Sequence, residues 1–352
     1  MRLLSLKNSK RPFRNAAYAA AGIGLAVIVP MLAATSGASA SGVPLLVYSG
    51  QDYAAAEVAA FQKATGITTQ LSAASFGTSY AAIEAQRNNP QWGVLWTDGA
   101  SPYVELDKQG LLLKGFEPAG YTTLGKSVIP ADKSYVPTGF TTYNIWYNST
   151  FVKNPPKTWQ DLLSSKYKGK IGMFDLAQSG ATYVFLSALG NQLGGEAQLK
   201  SYLLKLKANG LHLYYNGASD ELNGLASGQV NVILLQSSNG IAASETSSNV
   251  KPVFPKYVPE LPSIIGIDGK APTKVLSEAK RFATFVMSAK GQAIMRNSAP
   301  HGDSNYWPIV SGATPLSVLP SLTSIPVQSV DPIKWAAIEP SFRKWFESTI
   351  AG

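Results

Sequence analysis

Apolar runs and helix-like segments alternate along the part of the chain that follows residue 42. Three short apolar runs predict buried strands, over Val43–Gly50, Ile67–Ala73 and Trp92–Gly99. One helix is predicted after each run. The first covers residues 52–66, the second ends at about residue 87, and the third covers residues 101–110. Asp52 is the predicted N-cap of the first of these helices and Gly66 its stop. The βαβαβα order predicts an α/β fold, in which a parallel sheet carries helices on both faces.

Polar loops follow the three predicted strands at the point where each strand ends. These loops contain Ser49, Gln51, Ser75, Phe76, Gly77, Thr78, Ser79 and Asp98. Because ligands of parallel α/β sheets bind beyond the carboxyl ends of the strands, we expect these residues to share a ligand site. The alternative for residues 75–79 is a plain Ser/Thr helix cap that binds nothing. The alternative for Asp98 is a solvated residue in a Thr-Asp-Gly turn.

The first forty residues have the pattern of an export signal. Five basic residues precede an apolar run rich in Ala, Ile, Leu and Val, and Ala38-Ser39-Ala40 offers small residues for cleavage. We therefore predict a signal peptide over residues 1–40, which is cleaved after about Ala40 or retained as an N-terminal anchor. The sequence contains no cysteine, so it has no disulfide, and this pattern favours the periplasm of a bacterium.

The predicted leader accounts for much of the net positive charge. The whole chain has 30 Lys and Arg against 21 Asp and Glu, and five of the basic residues but no acidic one lie in residues 1–40. The remaining 25 basic residues exceed the acids by four, and no basic cluster with interleaved aromatic residues follows. This pattern argues against nucleic acid as a partner. The roughly 310 residues after the leader are enough for two lobes with separate cores.

The middle of the chain carries motifs of a known family. A β-rich stretch over Tyr135–Val152 leads into Tyr147-Asn148, Pro156-Lys157-Thr158-Trp159, Asp161-Leu162 and Tyr167-Lys168-Gly169-Lys170-Ile171. In order and spacing these motifs resemble the signature of bacterial extracellular solute-binding proteins, the periplasmic receptors of ABC importers. Further matches lie at residues 216–230 and 279–292. The resemblance extends over most of the chain after the leader.

The resemblance implies a two-lobe periplasmic-binding-protein fold of type II, in which each lobe is a sheet flanked by helices and a hinge joins the lobes. It implies a first lobe at residues 44–138 plus 250–297 and a second lobe at residues 139–249 plus 298–352. It also implies binding of a small molecule by lobe closure, and delivery of that molecule to the membrane permease of an ABC transporter. No cofactor is expected, and the chain is expected to be a monomer.

The ferric-ion and phosphonate receptors are the branch that the chain resembles most. The run Gln178-Ser179-Gly180-Ala181-Thr182 is similar to their Ser-Gly-Ala anion loop, in which glycine lets the backbone approach an oxyanion at a helix start. The alternative is a plain serine cap. Asn216 matches by position an asparagine that contacts the anion in the family. Tyr214-Tyr215 is interpreted as strand packing with one hydroxyl in the cleft, and Gln236 follows a strand predicted over Val230–Leu235.

The chain departs from ferric-ion receptors where those receptors hold the metal. They carry adjacent tyrosines, whose phenolate oxygens are hard ligands for Fe(III), at the place where this chain continues as Gln236-Ser237-Ser238-Asn239. We therefore expect no metal ligands and a solute that bears an oxyanion, with ferric ion as the alternative. The expected solute is a phosphonate or a phosphate ester. If Asp98 pairs with an amine of the same molecule, a zwitterion such as 2-aminoethylphosphonate is indicated.

A secreted hydrolase is the competing class of function. The chain has no cysteine nucleophile, two histidines (His212 and His301), no G-x-S-x-G elbow and no H-E-x-x-H motif. A triad of a distant serine with His301 and Asp303 is the remaining arrangement that would support hydrolysis. This inventory favours binding over catalysis.

Two further expectations concern packing. Trp96, Tyr143, Trp146 and Tyr147 are predicted to lie in the core or at the hinge. Residues 334–350 are predicted to form an amphipathic helix that packs against the lobes and is interrupted at Pro340.

Overall fold

A computed structural model describes residues 43–298 and 304–352, so the predicted signal peptide lies outside the described residues. The strands are β1 (Leu45–Ser49), β2 (Thr69–Ala73), β3 (Val94–Asp98), β4 (Tyr135–Asn148), β5 (Ile171–Phe174), β6 (His212–Tyr214), β7 (Val232–Gln236), β8 (Val250–Val253), β9 (Val258–Ile267) and β10 (Val327–Gln328). The helices are α1 (Ala54–Thr65), α2 (Phe76–Ala85), α3 (Ser101–Lys108), α4 (Thr123–Val128), α5 (Gly180–Leu193), α6 (Glu196–Ala208), α7 (Ala218–Ser227), α8 (Ser237–Thr246), α9 (Thr273–Val286), α10 (Ala289–Ser298) and α11 (Pro332–Phe346). Within these two ranges, no helix is long and apolar enough to cross a membrane.

The first three strands form the parallel arrangement that the sequence predicts. Strand β1 lies between β2 and β3 and pairs in parallel with both. Most side chains of β1 and β3 are buried, as expected for strands that are covered by helices on both faces. The connecting helices end near the predicted places, and Gly66 terminates α1 in the left-handed conformation, with φ 71°.

The predicted N-cap of α1 is wrong. The helix begins at Ala54, and Tyr53 holds the N-cap position without a side-chain hydrogen bond to the helix. The reason is a tight turn before the helix, in which the N–H of Ala54 donates to the carbonyl of Gln51 over 3.0 Å. Asp52 lies within this turn and therefore stands one position too early to cap the helix.

Two long strands join the two halves of the sheet. The strand order is β2-β1-β3-β9-β4-β7-β5-β6, with β10 beside β9 and β8 beside β4. The first part of β4, residues 135–142, pairs antiparallel with β9, and its last part, residues 143–148, pairs with β7 and β8. An irregularity between Pro137 and Gly139 interrupts the register with β9. The result is a mixed α/β architecture in which β4 belongs to both half-sheets.

The core contains most of the aromatic residues predicted for it. Trp96, Tyr143 and Trp146 are buried, and Tyr147 is partly buried. The C-terminal helix differs from its prediction, because α11 continues through Pro340 instead of being interrupted there. Trp335 and Phe342, on either side of this proline, are both fully buried. Their packing stabilises the helix across the position at which proline removes a backbone donor.

Candidate functional site

A cleft of about 490 Å³ lies at the edge of the sheet where the strands end. The loops after β1, β2 and β3 reach it through Gln51, Ser75 and Asp98, so the three strand exits converge as the sequence predicts. The opposite half-sheet contributes residues that follow β5, β6 and β7, namely Ser179, Asn216 and Gln236. This is the edge at which open α/β sheets bind ligands.

Most of the predicted site residues are brought together in this cleft. Eleven of the sixteen line it: Gln51, Ser75, Phe76, Asp98, Gln178, Ser179, Gly180, Ala181, Tyr215, Asn216 and Gln236. The other five do not: Ser49, Gly77, Thr78, Ser79 and Thr182. These five residues lie outside the lining of the cleft.

Two of these five residues do not line the cleft but stabilise its loops through hydrogen bonds. The hydroxyl of Ser49 is buried and accepts the N–H of Gln51 over 3.2 Å. The hydroxyl of Thr182 donates to the carbonyl of Phe174 over 3.3 Å, and its N–H donates to the hydroxyl of Ser179 over 3.1 Å. Because both hydroxyls are committed to the protein, they fix the loops and leave contact with a solute to their neighbours.

The loop after β2 behaves partly as a helix cap and partly as cleft lining. Ser75 caps α2, because its hydroxyl accepts the N–H of Thr78 over 3.4 Å. The first helical turn then directs Thr78 into solvent and buries Ser79 completely. Gly77 faces another chain segment, and a Cβ built on it would lie 2.7 Å from the carbonyl oxygen of Ala177. The hydroxyl-rich run therefore contributes only Ser75 and Phe76 to the cleft.

The start of α5 approaches the end of β3 closely. Ser179 caps this helix by accepting the N–H of Thr182, as the plain-cap alternative expected, and it also lines the cleft. A Cβ built on Gly180 would lie 2.8 Å from the carbonyl oxygen of Asp98. Only glycine permits this approach without a shift of the backbone, and it brings the start of α5 next to the backbone of Asp98.

Sequence reasoning missed the starts of two more helices. Gly217, Ala218 and Ser219 at the beginning of α7 line the cleft, and so does Asn239 in the first turn of α8. Gly217 has φ 111°, a conformation that favours glycine. The sequence carries a signal for the start of α7. In the run Asn216-Gly217-Ala218-Ser219-Asp220, a glycine and small residues precede the acidic residues of a first helical turn.

Two carboxylates line the cleft, those of Asp52 and Asp98, and two donors hold Asp98 in place. The amide nitrogen of Gln51 donates to Oδ1 over 2.8 Å, and the hydroxyl of Tyr306 donates to Oδ1 and Oδ2 over 3.0 and 3.2 Å. Burial raises the pKa of Asp98 to about 6, the two hydrogen bonds oppose this rise, and the nearby charge of Asp52 adds to it. At neutral pH the carboxylate is therefore ionised and able to pair with a cation.

The two adjacent tyrosines take different positions. Tyr214 is buried, and its hydroxyl donates to the side-chain oxygen of Gln229 over 3.4 Å. Tyr215 is 53% exposed and lines the cleft, so one phenol of this pair reaches the site, as the sequence-based interpretation expected, and Tyr143 lines the cleft as well. Among residues 43–298 and 304–352, no group of three or more His, Asp or Glu could hold a metal ion.

The histidines give little support to the hydrolase alternative. His212 lies on β6, where its ring contacts that of Tyr214 at 4.5 Å between centroids, and it does not line the cleft. His301 and Asp303, the other members of the imagined triad, lie outside the described residues.

Comparisons with known proteins place this geometry in a family. The family model of bacterial extracellular solute-binding proteins matches residues 56–324. A putative 2-aminoethylphosphonate-binding periplasmic protein from Salmonella typhi is 30% identical over 242 residues, which cover 66% of this chain and 68% of that protein.

Solved structures share the fold at lower identity. The periplasmic binding protein AfuA from Actinobacillus pleuropneumoniae, with exogenous fructose-6-phosphate bound, is 20% identical with a TM-score of 0.77, over 88% of this chain and 98% of that one. Iron-bound HitA from Pseudomonas aeruginosa is 21% identical with a TM-score of 0.73, over 86% of this chain and 99% of that one. One fold thus serves proteins whose ligands have different chemistry.

Proposed function

The chain belongs to the bacterial extracellular solute-binding proteins, and we propose that its solute is a small zwitterion with a phosphonate- or phosphate-type oxyanion and an amine, such as 2-aminoethylphosphonate. It is the periplasmic solute-binding component of an ABC importer, and such proteins deliver small ligands to a membrane permease. In our proposal the chain is exported by its leader, acts as a monomer and performs no chemistry on the solute.

The observation that carries this proposal is the convergence of four helix starts on one cleft. Residues 75–76, 179–180, 217–219 and 236 all line it, at the beginning of α2, α5, α7 and α8. We call this set the helix-start wall. The first N–H groups of a helix have no intrahelical partner, and the helix dipole places partial positive charge there. Four such ends around one cleft favour an oxyanion with several acceptor oxygens.

The second half of the proposal rests on Asp98 and the two residues that donate to it, Gln51 and Tyr306. We call these three residues the Asp98 corner. Because its carboxylate is fixed by two donors and is ionised at neutral pH, it can accept an ammonium group without rearrangement. The start of α5 lies beside Asp98 at Gly180. A short molecule can therefore present an anion to the helix-start wall and a cation to the Asp98 corner.

Capture proceeds by closure of two lobes in this proposal. We place the first lobe at residues 44–138 plus 250–297 and the second at residues 139–249 plus 298–352, with the hinge in β4 and β9. The C-terminal segment contacts both lobes, since Tyr306 donates to Asp98 whereas Tyr183 donates to the carbonyl of Trp335. A solute that touches both lobes stabilises the closed form.

A ferric ion is the second candidate, because the fold is shared with iron-bound HitA. Two phenols, those of Tyr143 and Tyr215, line the cleft among the described residues. Burial raises the pKa of Tyr143 well above its ordinary value, which disfavours the phenolate that ferric ion needs, and the hydroxyl of Tyr214 is bonded to Gln229. We therefore rank iron below the zwitterion.

A thermal-shift panel tests the proposal. The purified protein is heated with 2-aminoethylphosphonate, inorganic phosphate, a sulfonate, spermidine, thiamine or ferric citrate. A ligand at one hundred times its dissociation constant adds about 2.7 kcal/mol to the free energy of unfolding, which raises the melting temperature by several degrees. We expect the largest shift with 2-aminoethylphosphonate. A shift with ferric citrate or spermidine alone would overturn the proposal.

A further inference from the structure

A second cavity of about 490 Å³ lies beside the cleft. Phe76, Gln178 and Tyr215 line both spaces and form the partition between them. On its far side the second cavity is bounded by α2, α3 and α11 and by the loop after β5. The function proposed above makes no use of this space.

One wall of the second cavity is aromatic. The rings of Phe76 and Tyr80 are stacked, with centroids 5.7 Å apart and planes 25° apart. Leu176, Pro340 and Phe346 extend the apolar surface. A flat or compact apolar group can pack against such a wall, and the faces of its aromatic rings attract a cation.

The charges that line the second cavity are unbalanced. Its cation, Arg343, donates to Glu339 over 2.7 Å and to the carbonyl of Leu176, so its charge is already matched. Three more carboxylates, those of Glu105, Asp175 and Glu347, line the same space. Glu105 pairs with Lys108 over 3.6 Å and Glu339 pairs with Arg343, so Asp175 and Glu347 leave the described lining net negative by two.

Asp175 is the most deeply placed of these carboxylates. Its side chain is 97% buried, since its exposed fraction is 3%. Oδ1 accepts the N–H of Ala177 over 2.8 Å, whereas Oδ2 accepts no hydrogen bond from the residues that the structure describes. Oδ2 is therefore open to a donor that enters the cavity, and a hydrogen bond to a charged group is stronger than one between neutral groups.

We propose that the second cavity is a binding site for an organic cation, an ammonium group on an aromatic or compact alkyl body. The ammonium group lies against Oδ2 of Asp175 and the face of Tyr80, and the apolar body fills the space along Leu176 and Phe346. The site does not depend on the solute of the cleft, because Asp175 and Tyr80 do not line the cleft.

Titration calorimetry of the full protein with benzylammonium tests this site, with benzyl alcohol as the neutral probe of similar shape. We expect benzylammonium to bind and benzyl alcohol to bind at least about tenfold more weakly, since a charge-assisted hydrogen bond is lost. Asp175→Asn keeps the acceptor for the N–H of Ala177 and should weaken benzylammonium binding about tenfold. Asp98→Asn, the matched change in the cleft, should leave benzylammonium binding unchanged.

The outcomes separate the second cavity from the cleft. If Asp98→Asn abolishes benzylammonium binding and Asp175→Asn does not, the cation binds in the cleft and the inference is wrong. Equal binding of benzylammonium and benzyl alcohol, or no binding of either at 10 mM, a concentration chosen to reveal roughly millimolar affinity, would also overturn it. Should Asp175→Asn lower the melting temperature strongly, Glu105→Gln on the exposed side of α3 replaces it, with a smaller loss expected. None of these readouts uses 2-aminoethylphosphonate, so failure of the proposed function would be seen separately.

Discussion

The helix-start wall and the Asp98 corner present a ligand with different kinds of chemistry. The wall is made mainly of backbone at the first residues of α2, α5, α7 and α8, and its polarity follows from the fold itself. The corner is made of side chains, in which Gln51 and Tyr306 fix one carboxylate. A backbone wall can persist through many substitutions, whereas one substitution removes the corner. We infer that the wall sets the general preference for oxyanions and that the corner sets the choice among them.

Removal of the corner carboxylate should have the largest effect. Asp98→Asn keeps the shape and an acceptor for Gln51 but loses the charge that pairs with an amine. A hydrogen bond to a charged group contributes about 1.5–3 kcal/mol, so we expect the affinity for 2-aminoethylphosphonate to fall about 10- to 150-fold. Calorimetry with inorganic phosphate is the control, because an anion without an amine should bind the variant no more weakly than the native protein.

A methyl group between wall and corner should affect all ligands alike. In Gly180→Ala the new Cβ would lie 2.8 Å from the carbonyl oxygen of Asp98, so the start of α5 must move away. Overpacking of this kind costs about 1–3 kcal/mol. We expect calorimetry to show the same loss for phosphate and for 2-aminoethylphosphonate. A loss confined to one of the two would show that wall and corner are not held together at Gly180.

Acid should weaken the corner before it weakens the wall. In the free protein burial raises the pKa of Asp98 to about 6, and a bound ammonium group would lower it again. Binding therefore releases a proton below pH 6, and affinity should fall by up to about tenfold per pH unit as the pH drops below that value. The oxyanion of the ligand titrates in a similar pH range. We therefore compare the affinity of the native protein for 2-aminoethylphosphonate with that of Asp98→Asn at each pH, because the titration of the ligand cancels in their ratio. This ratio should approach one at low pH, and a ratio independent of pH would contradict the assignment.

Loss of one wall hydroxyl should have the smallest effect. Ser179→Ala removes the cap of α5 and should lower the free energy of unfolding by about 1 kcal/mol. A neutral hydrogen bond contributes about 0.5–1.5 kcal/mol, so affinity should fall by about tenfold at most. Thr78→Ala is the matched control, because Thr78 is exposed and lies outside the cleft. Equal losses of affinity in both variants would mean that the run at residues 75–79 contributes more than its first two residues.

The elements of the first half-sheet could be predicted because their signals are local. Three apolar runs predicted strands β1 to β3, and Gly66 predicted the end of α1. The errors arose where packing or turn geometry decides the outcome. Asp52 falls in the turn that precedes α1. The helix that contains Pro340 is held by the packing of its own Trp335 and Phe342 against Tyr183, a residue distant in the chain.

The cleft could be predicted only in part for a similar reason. A helix start can be recognised from a polar residue ahead of an apolar run, and this led to Ser75 and Ser179. Which residues of the first turn face the cleft depends on the rotation of the helix, and this rotation leaves Thr78 and Ser79 outside the lining. Whether the start of α7 lines the cleft depends on where the fold places this helix relative to the other helices. Tyr306 donates to Asp98 although the two residues are 208 positions apart in the sequence. No local pattern records either contact.

The most direct test of the central claim is a calorimetric comparison of 2-aminoethylphosphonate with ethylphosphonate. The two share the same oxyanion and differ in the amine, so their affinity ratio isolates the Asp98 corner from the helix-start wall. We predict that the native protein prefers the amine-bearing compound by about tenfold or more and that Asp98→Asn removes this preference. Equal affinity of the native protein for both compounds would contradict the account, because the corner would then have no role in recognition.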